Sequence, residues 1–356
     1  MKKRFISILL IIVVIITGCG KGKNQVIKGY TKYKKTFFDV FDTVIDFTAY
    51  TETEDEFNEY YDLVKTEFER LHKLYNHFDS FEEGINNIKT INENAGIKSV
   101  KVDKDLFDLI KFSKEMTEKY SDKTNMAFGP VLEIWHGYRE EGLKDPKTAK
   151  LPKMEDLRKA NEYTSIDKVI LNEAELTVFL EDKNMKLDLG ATSKGFASQL
   201  IMDKVKEKGC KSAILSAGGN IIALGKPMLK DRDKWGIGIQ NPNLKENAKK
   251  PVIEEIQGTD LTVVTSGNYQ RFYTVDGKDY NHIIDPKTLM PAENFTSVSV
   301  IAKDSSIADY LSTTLFILDY EEGKELLKNF DDVDVMWVQK DGKIKKTSGF
   351  EKYIKD

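Results

Sequence analysis

Three short blocks of this sequence set glycine, small polar and charged residues inside otherwise apolar surroundings. In the first, residues 187–196 (LDLGATSKGF), Asp188, Gly190, Ser193, Lys194 and Gly195 stand at the entry to a helix. Backbone N–H groups and a lysine at a helix N-terminus attract anions such as phosphate, although Thr192 or Ser193 would serve equally as a plain cap. The second block runs from Ser266-Gly267-Asn268-Tyr269-Gln270 through a hairpin to His282-Ile283-Ile284-Asp285-Pro286. A histidine there can act as a general base near neutral pH, or simply bond a neighbouring carbonyl. In the third block, residues 308–313 (ADYLST), Asp309 and Thr313 are four apart on an apolar helix and therefore share a face. A carboxylate and a hydroxyl together suit a hard cation such as Mg²⁺, though a carboxylate near a helix start is also an ordinary dipole partner. No P-loop, no GxGxxG after a strand, no G-x-S-x-G and no HExxH occurs. Four histidines in the whole chain leave little room for a histidine-rich metal site.

The elements that must position these blocks follow from periodicity. Residues 37–50 (FFDVFDTVIDFTAY) alternate and are rich in aromatic and β-branched types, which predicts a strand with a flanking turn. Thr53 and Glu56 have capping-box spacing ahead of Phe57, Tyr60, Tyr61, Val64, Phe68, Leu71 and Leu74, a long amphipathic helix. Asp103 caps a second helix carrying Leu106, Leu109, Ile110 and Met116. Phe196, Ala197, Leu200, Ile201 and Val205 give another, closed by Gly209. Strands are predicted at 168–171, 176–180, 212–216, 221–224, 236–240, 261–266 and 297–302, a buried helix at 307–318, and hairpin turns at Asp276-Gly277 and Asp341-Gly342. Hairpins imply antiparallel pairing, so the pattern predicts an α+β fold, one mixed α/β domain with largely antiparallel sheets, over residues 36–356. Trp135, His136 and Tyr138, in an apolar run after Gly129-Pro130, read as core packing.

Composition narrows the function class. With 356 residues, 31% charged and 40% hydrophobic, the chain can bury a sizeable core and is neither disordered nor polytopic. A net charge of −4 argues against a nucleic-acid binder. Only six arginines occur, which weakens any reading that needs clusters of bidentate phosphate clamps. At the start, Lys2, Lys3 and Arg4 precede the apolar run 5–16 and then Thr17-Gly18-Cys19. A run of twelve residues, apolar but for Ser7, is too short to span a bilayer of about 30 Å. The layout predicts a signal peptide over 1–18 whose end resembles a bacterial lipobox, with Cys19 lipidated and 19–35 a Lys-rich tether. The expected location is extracytoplasmic, anchored to the cell membrane through lipid on Cys19. Cys210 then reads as a buried small hydrophobe without a redox role, and 245–250 as a solvated loop.

Taken together and in order, residues 188–197 (DLGATSKGFA), 215–221 (LSAGGNI), 266–269 (SGNY) with 282–291 (HIIDPKTLMP), and 308–313 resemble the ApbE family of FAD:protein FMN transferases. The resemblance spans nearly all of the chain after the lipobox, including Phe41-Asp42-Thr43. It implies a T-fold-related domain and a Mg²⁺-dependent enzyme. Such an enzyme cleaves the diphosphate of FAD and transfers FMN to a threonine hydroxyl of a partner protein, releasing AMP. Its implied partners are flavin-carrying subunits of membrane electron-transfer complexes of the Rnf and sodium-pumping NADH:quinone reductase kinds, and related flavin-binding domains. By the family pattern, Asp309, Thr313 and a main-chain carbonyl in the Thr192–Ser193 turn would hold Mg²⁺, and Lys194 and the Gly195 amide would sit near the diphosphate. His282 would be the base for the acceptor threonine or a diphosphate holder, and Asp188 would fall in the flavin site. Ser266, Gly267 and Ile283 would belong to the FAD-binding blocks.

The chain departs from the pattern at several places. Asn125 replaces a carboxylate that contacts the FAD nucleoside in the family, keeping a hydrogen bond without the charge. Phe41 stands where a methionine is common, Ser193 where alanine is, and Leu289-Met290 where Thr-Gly is. Two other activities fit the same residues: a hydrolase splitting FAD to FMN and AMP with water as nucleophile, and a non-catalytic lipoprotein that stores or delivers flavin.

Overall fold

The computed structural model describes residues 25–243 and 250–354. The expected signal peptide, Cys19 and most of the 245–250 loop lie outside them. The fold is mixed α/β and its sheets are antiparallel. The largest sheet has eight strands, in the order Thr31–Val40, Thr43–Thr51, Ser212–Ala217, Asn220–Gly225, Leu261–Gly267, Phe295–Ala302, Asp334–Gln339 and Ile344–Lys346.

The central strands are buried at nearly every position, polar residues such as Ser216, Asn220 and Thr262 included, because both faces of the sheet are covered. Ala213 and Leu215 point to the helix side, into a cluster with Phe47, Phe57, Phe68, Leu106, Leu109 and Ile201. Ile214 points the other way, where Ile221, Val263 and Ile301 meet Trp235, Ile237 and Ile256 of the hairpin Trp235–Gln240/Val252–Gly258. Helix Ser305–Ile317 is buried nearly all round against strands Leu261–Gly267 and Phe295–Ala302, with Tyr310, Leu311, Leu315 and Phe316 in one cluster with Val298 and Val300.

The expected caps are present. Thr53 accepts from Glu56 N ahead of helix Glu54–Tyr75, Asp103 caps helix Lys104–Lys119, and Gly209 (φ +104°) follows helix Ser193–Glu207. Asp276 and Gly277 both take positive φ in the tight turn between Phe272–Val275 and Lys278–Asn281, as an Asp-Gly hairpin requires.

Three expectations need correction. The tether expected over 19–35 is shorter: Ile27 N already donates to Met228 O at 3.0 Å, and Thr31–Val40 is the edge strand of the main sheet. The folded body therefore starts before residue 36. An edge strand pairs on one side only and is commonly lined with lysines, so Lys32, Lys34 and Lys35 hid it behind a linker-like composition. The single strand expected over 37–50 is a hairpin, turning at Phe41 and Asp42 with φ +52° and +50°. Helices Gly129–Lys144 and Met154–Asn161 were not expected. The first has no side-chain cap, which removes the usual start signal.

Candidate active site

The three blocks meet at one cavity of about 560 Å³. It opens between the end of the main sheet, the start of helix Ser193–Glu207 and a smaller cluster in which Trp135, Tyr273, Val275 and Leu289 pack together. Phe41, Asn125, Asp188, Ser193, Lys194, Ser266, Gly267, His282, Ile283, Asp309 and Thr313 all line it.

Helices Ser193–Glu207 and Ser305–Ile317 come into close contact at Gly195. A Cβ added there would lie 2.3 Å from Ser305 O and 2.4 Å from Asp309 Cβ, so only glycine fits. The approach lets Gly195 N donate to Asp309 Oδ2 at 2.8 Å. Lys194 Nζ stands 3.8 Å from the same oxygen. Burial pushes the Asp309 carboxyl above its usual range, and Lys194 and the Gly195 amide offset this only in part. Ser266 Oγ lies 3.2 Å from Thr313 Oγ1 and 2.8 Å from Ser312 Oγ, tying the strand end to the same helix. Asp309 and Thr313 thus offer oxygen donors to one cavity, a set that fits Mg²⁺.

The helix start is not the free anion cradle that the sequence suggested. Ser193 N bonds Leu189 O at 2.9 Å, Phe196 N bonds Thr192 O at 3.0 Å, and the Gly195 amide is spent on Asp309. Gly195 positions that carboxylate and does not line the cavity. Thr192 gives no side-chain cap; its hydroxyl pairs with Ser113 Oγ at 2.9 Å. Positive charge comes from side chains instead. Lys123, Arg139, Lys194 and Arg271 all line the cavity, so two of the few arginines converge where a multiply charged anion would be held. Burial, and then the nearby charge of Arg271, pull the Arg139 guanidinium below its ordinary value. Arg271 is steadied by donating to Asp42 O at 3.1 Å, and Lys123 by Asp285 at 2.8 Å.

His282 is held at both ends of its backbone and ring. Its amide donates to Arg271 O at 3.1 Å, and its Nδ1 lies 3.2 Å from the same carbonyl. A carbonyl only accepts, so Nδ1 carries the proton and Nε2 keeps its lone pair. Burial, and then the charges of Arg271, Arg139 and Lys194, drive the imidazole well below its usual value. His282 is therefore neutral and keeps a lone pair on Nε2, which a proton acceptor needs.

Other expected residues are placed less simply. Asn125 faces the cavity but spends its amide on Ala127 N (2.8 Å) and Thr164 O (2.7 Å), so it shapes the turn before helix Gly129–Lys144. Phe41 N donates to His72 Nδ1 at 3.2 Å, and its ring packs on Phe68, His72 and Tyr75. Ile283 N donates to Asn281 Oδ1 at 2.9 Å. Asp188 Oδ1 accepts from Gly190 N at 2.8 Å. Burial pushes the Asp188 carboxyl up, but His77, His136, the Gly190 amide and Arg139 outweigh it and hold it below the usual range.

His136 is not core, in contrast to Trp135, whose Nε1 donates to Leu289 O at 3.0 Å. It lines the cavity with His72, His77 and His282, so all four histidines of the chain face one space. Sequence reasoning missed His77, His136, Arg139 and Arg271 because no motif contains them. Cys210 is buried, its thiol pushed up to about 11 by desolvation, as an inert cysteine should be.

These features define a deep, cation-lined ligand cleft on a mixed α/β fold. Residues 41–337 match the model of the ApbE family, and the chain belongs to that family. It is 31% identical over 273 residues to a FAD:protein FMN transferase of Klebsiella pneumoniae, covering 76% of this chain and 80% of that protein. It is 33% identical over 271 residues to a FAD:protein FMN transferase of Treponema pallidum, covering 74% and 73%. The ApbE protein from Thermotoga maritima superposes with a TM-score of 0.76 at 24% identity, over 92% of this chain and all of that one. The flavin transferase ApbE from Vibrio cholerae does so with a TM-score of 0.74 at 19% identity, covering 91% and 99%.

Proposed function

We propose that this chain is an FAD:protein FMN transferase that uses Mg²⁺ to move FMN from FAD onto a threonine hydroxyl of a partner protein. The observation that carries the reading is the convergence on one cavity of an oxygen-donor pair (Asp309, Thr313), four cationic side chains and a neutral histidine. Phosphoryl transfer asks for little covalent chemistry, only in-line placement and neutralisation of the diphosphate. Asp309 and Thr313, with a main-chain carbonyl at Ser193, would hold Mg²⁺, which when bound supplies Lewis acidity to the phosphate oxygens. Lys194, Arg139 and Arg271 hold the diphosphate, and Asp188 belongs to the flavin end. His282 Nε2 takes the proton from the threonine hydroxyl as its oxygen bonds the FMN phosphorus. The bond from that phosphorus to the bridging oxygen breaks, and AMP leaves with the bridging oxygen.

The short apolar run before Cys19 supports export and lipid anchoring at the cell membrane, which suits acceptors on flavin-carrying subunits of Rnf or sodium-pumping NADH:quinone reductase complexes. No helix among the described residues is long and apolar enough to cross a membrane.

The test is to mix the protein with FAD, Mg²⁺ and a panel of threonine-bearing acceptor domains and record intact masses. An acceptor that gains one FMN, and loses the gain on Thr→Val in the acceptor and on Asp309→Ala in the enzyme, supports the transferase. Free FMN and AMP without an adduct for any acceptor would point to hydrolysis. FAD bound but intact with Mg²⁺ present would sink both readings.

A further inference from the structure

Away from Asp309 and Thr313, two histidines stand together against one carboxylate. His77 follows helix Glu54–Tyr75, His136 lies on helix Gly129–Lys144, and Asp188 precedes helix Ser193–Glu207. One ligand atom from each lies within 4.8 Å of the other two, and all three residues are half-buried. The two imidazole rings are 6.0 Å apart and nearly parallel, at 21°. His77 Nε2 faces Asp188 Oδ2 at 3.7 Å, too far for a hydrogen bond. That nitrogen is buried and has no hydrogen-bond partner. A buried polar atom so placed is open to a ligand that would satisfy it.

The chemistry of the three donors narrows the occupant. Each histidine turns a ring nitrogen, and Asp188 a carboxylate oxygen, toward the other two. Asp188 Oδ1 is fixed by the Gly190 amide, leaving Oδ2 turned to His77. Metal ligands must be deprotonated and benefit from such outer-shell anchoring. Imidazole suits zinc-like ions, whereas Mg²⁺ prefers oxygen alone.

We propose that His77, His136 and Asp188 form a binding site for a divalent transition ion of the zinc kind, separate from the oxygen site at Asp309 and Thr313. A tetrahedral ion with bonds of about 2.0–2.1 Å keeps its ligand atoms roughly 3.4 Å apart. The trio therefore needs only side-chain rotations of about an ångström to close on it. The fourth position faces the cavity.

The experiment titrates Co²⁺ into the full chain, solubilised in detergent, stripped with chelator and free of FAD and Mg²⁺. One equivalent should bring up the intense visible bands of low-coordinate cobalt, and one equivalent of Zn²⁺ should remove them. His77→Gln and His136→Gln should each weaken cobalt binding at least tenfold, while Asp309→Ala leaves the bands unchanged. Circular dichroism of each variant separates loss of a ligand from loss of the fold. Absence of the bands in the unsubstituted chain, or bands that survive both histidine substitutions, overturns the site. Because FAD and Mg²⁺ are left out, a failure here leaves the transferase reading untouched, and failure of FMN transfer leaves the cobalt bands as evidence of the metal site.

Discussion

Gly195→Ala is the sharpest single test of how the site is assembled. The new Cβ would fall 2.3 Å from Ser305 O and 2.4 Å from Asp309 Cβ. Reaching an ordinary contact near 3.4 Å requires the two helices to part by about 1 Å. Helix Ser305–Ile317 cannot yield cheaply, since Tyr310, Leu311, Leu315 and Phe316 are fully buried behind it. Overpacking of this kind costs about 1–3 kcal/mol. The displacement also falls on the Gly195 N–Asp309 bond of 2.8 Å, which fixes the carboxylate proposed to hold Mg²⁺. A misplacement of about 1 Å in a catalytic group costs on the order of 100-fold in rate. Urea unfolding should therefore show a lower midpoint with an unchanged slope. FMN transfer, followed by acceptor mass well below that midpoint, should slow about 100-fold and need more Mg²⁺. A variant with the parent midpoint and the parent transfer rate would refute the claim that these helices are locked together at Gly195.

Asp309→Asn should abolish Mg²⁺-dependent transfer, by about 100-fold or more, yet raise the unfolding midpoint at pH 7. The folded state raises this carboxyl, so the charged form is a native-state penalty, and the stability deficit of the parent should shrink as pH falls through the folded value. His282, lowered well below its ordinary 6.5, should keep kcat/KM flat as pH drops past 6.5 and lose it only at more acidic pH, when Nε2 takes a proton. Its linkage runs the other way from Asp309: the unfolded chain protonates first, so stability is lost as pH falls below about 6.5. His282→Gln should lower transfer and remove that acidic limb, which a pH–rate profile checks. Arg139→Met should weaken FAD binding about tenfold or more, measured by flavin fluorescence, and flatten its salt dependence.

Local signals in the sequence were reliable where the physics is local. Thr53, Asp103 and Gly209 mark helix ends through their own hydrogen bonds or backbone angle, and Asp276-Gly277 sets its turn without help from the rest of the chain. Asp309 and Thr313 were legible as a pair because one helix face holds both. What failed was anything decided by tertiary partners. Ser193 and Gly195 looked like anion-binding amides until Leu189 O and Asp309 took them. Asn125 does line the cavity, but its local role in the turn, bonding Thr164 O and Ala127 N, had no signal in the sequence. The lysine-rich edge strand Thr31–Val40 lacked an apolar pattern because only one of its edges is paired.

The histidines carry this argument furthest. Counting four of them in 356 residues argued against a histidine site, but the count assumes they are scattered. All four line one cavity, and each is held differently. His72 uses Nδ1 to accept from Phe41 N and so steadies the strained turn at Phe41 and Asp42. His282 gives its Nδ1 proton to Arg271 O and keeps the lone pair on Nε2. His77 and His136 face Asp188 with a buried nitrogen unpartnered. A residue type that contributes so little to the core, gathered so completely in one place, makes that place the one where the proposed proton and ion chemistry has its donors.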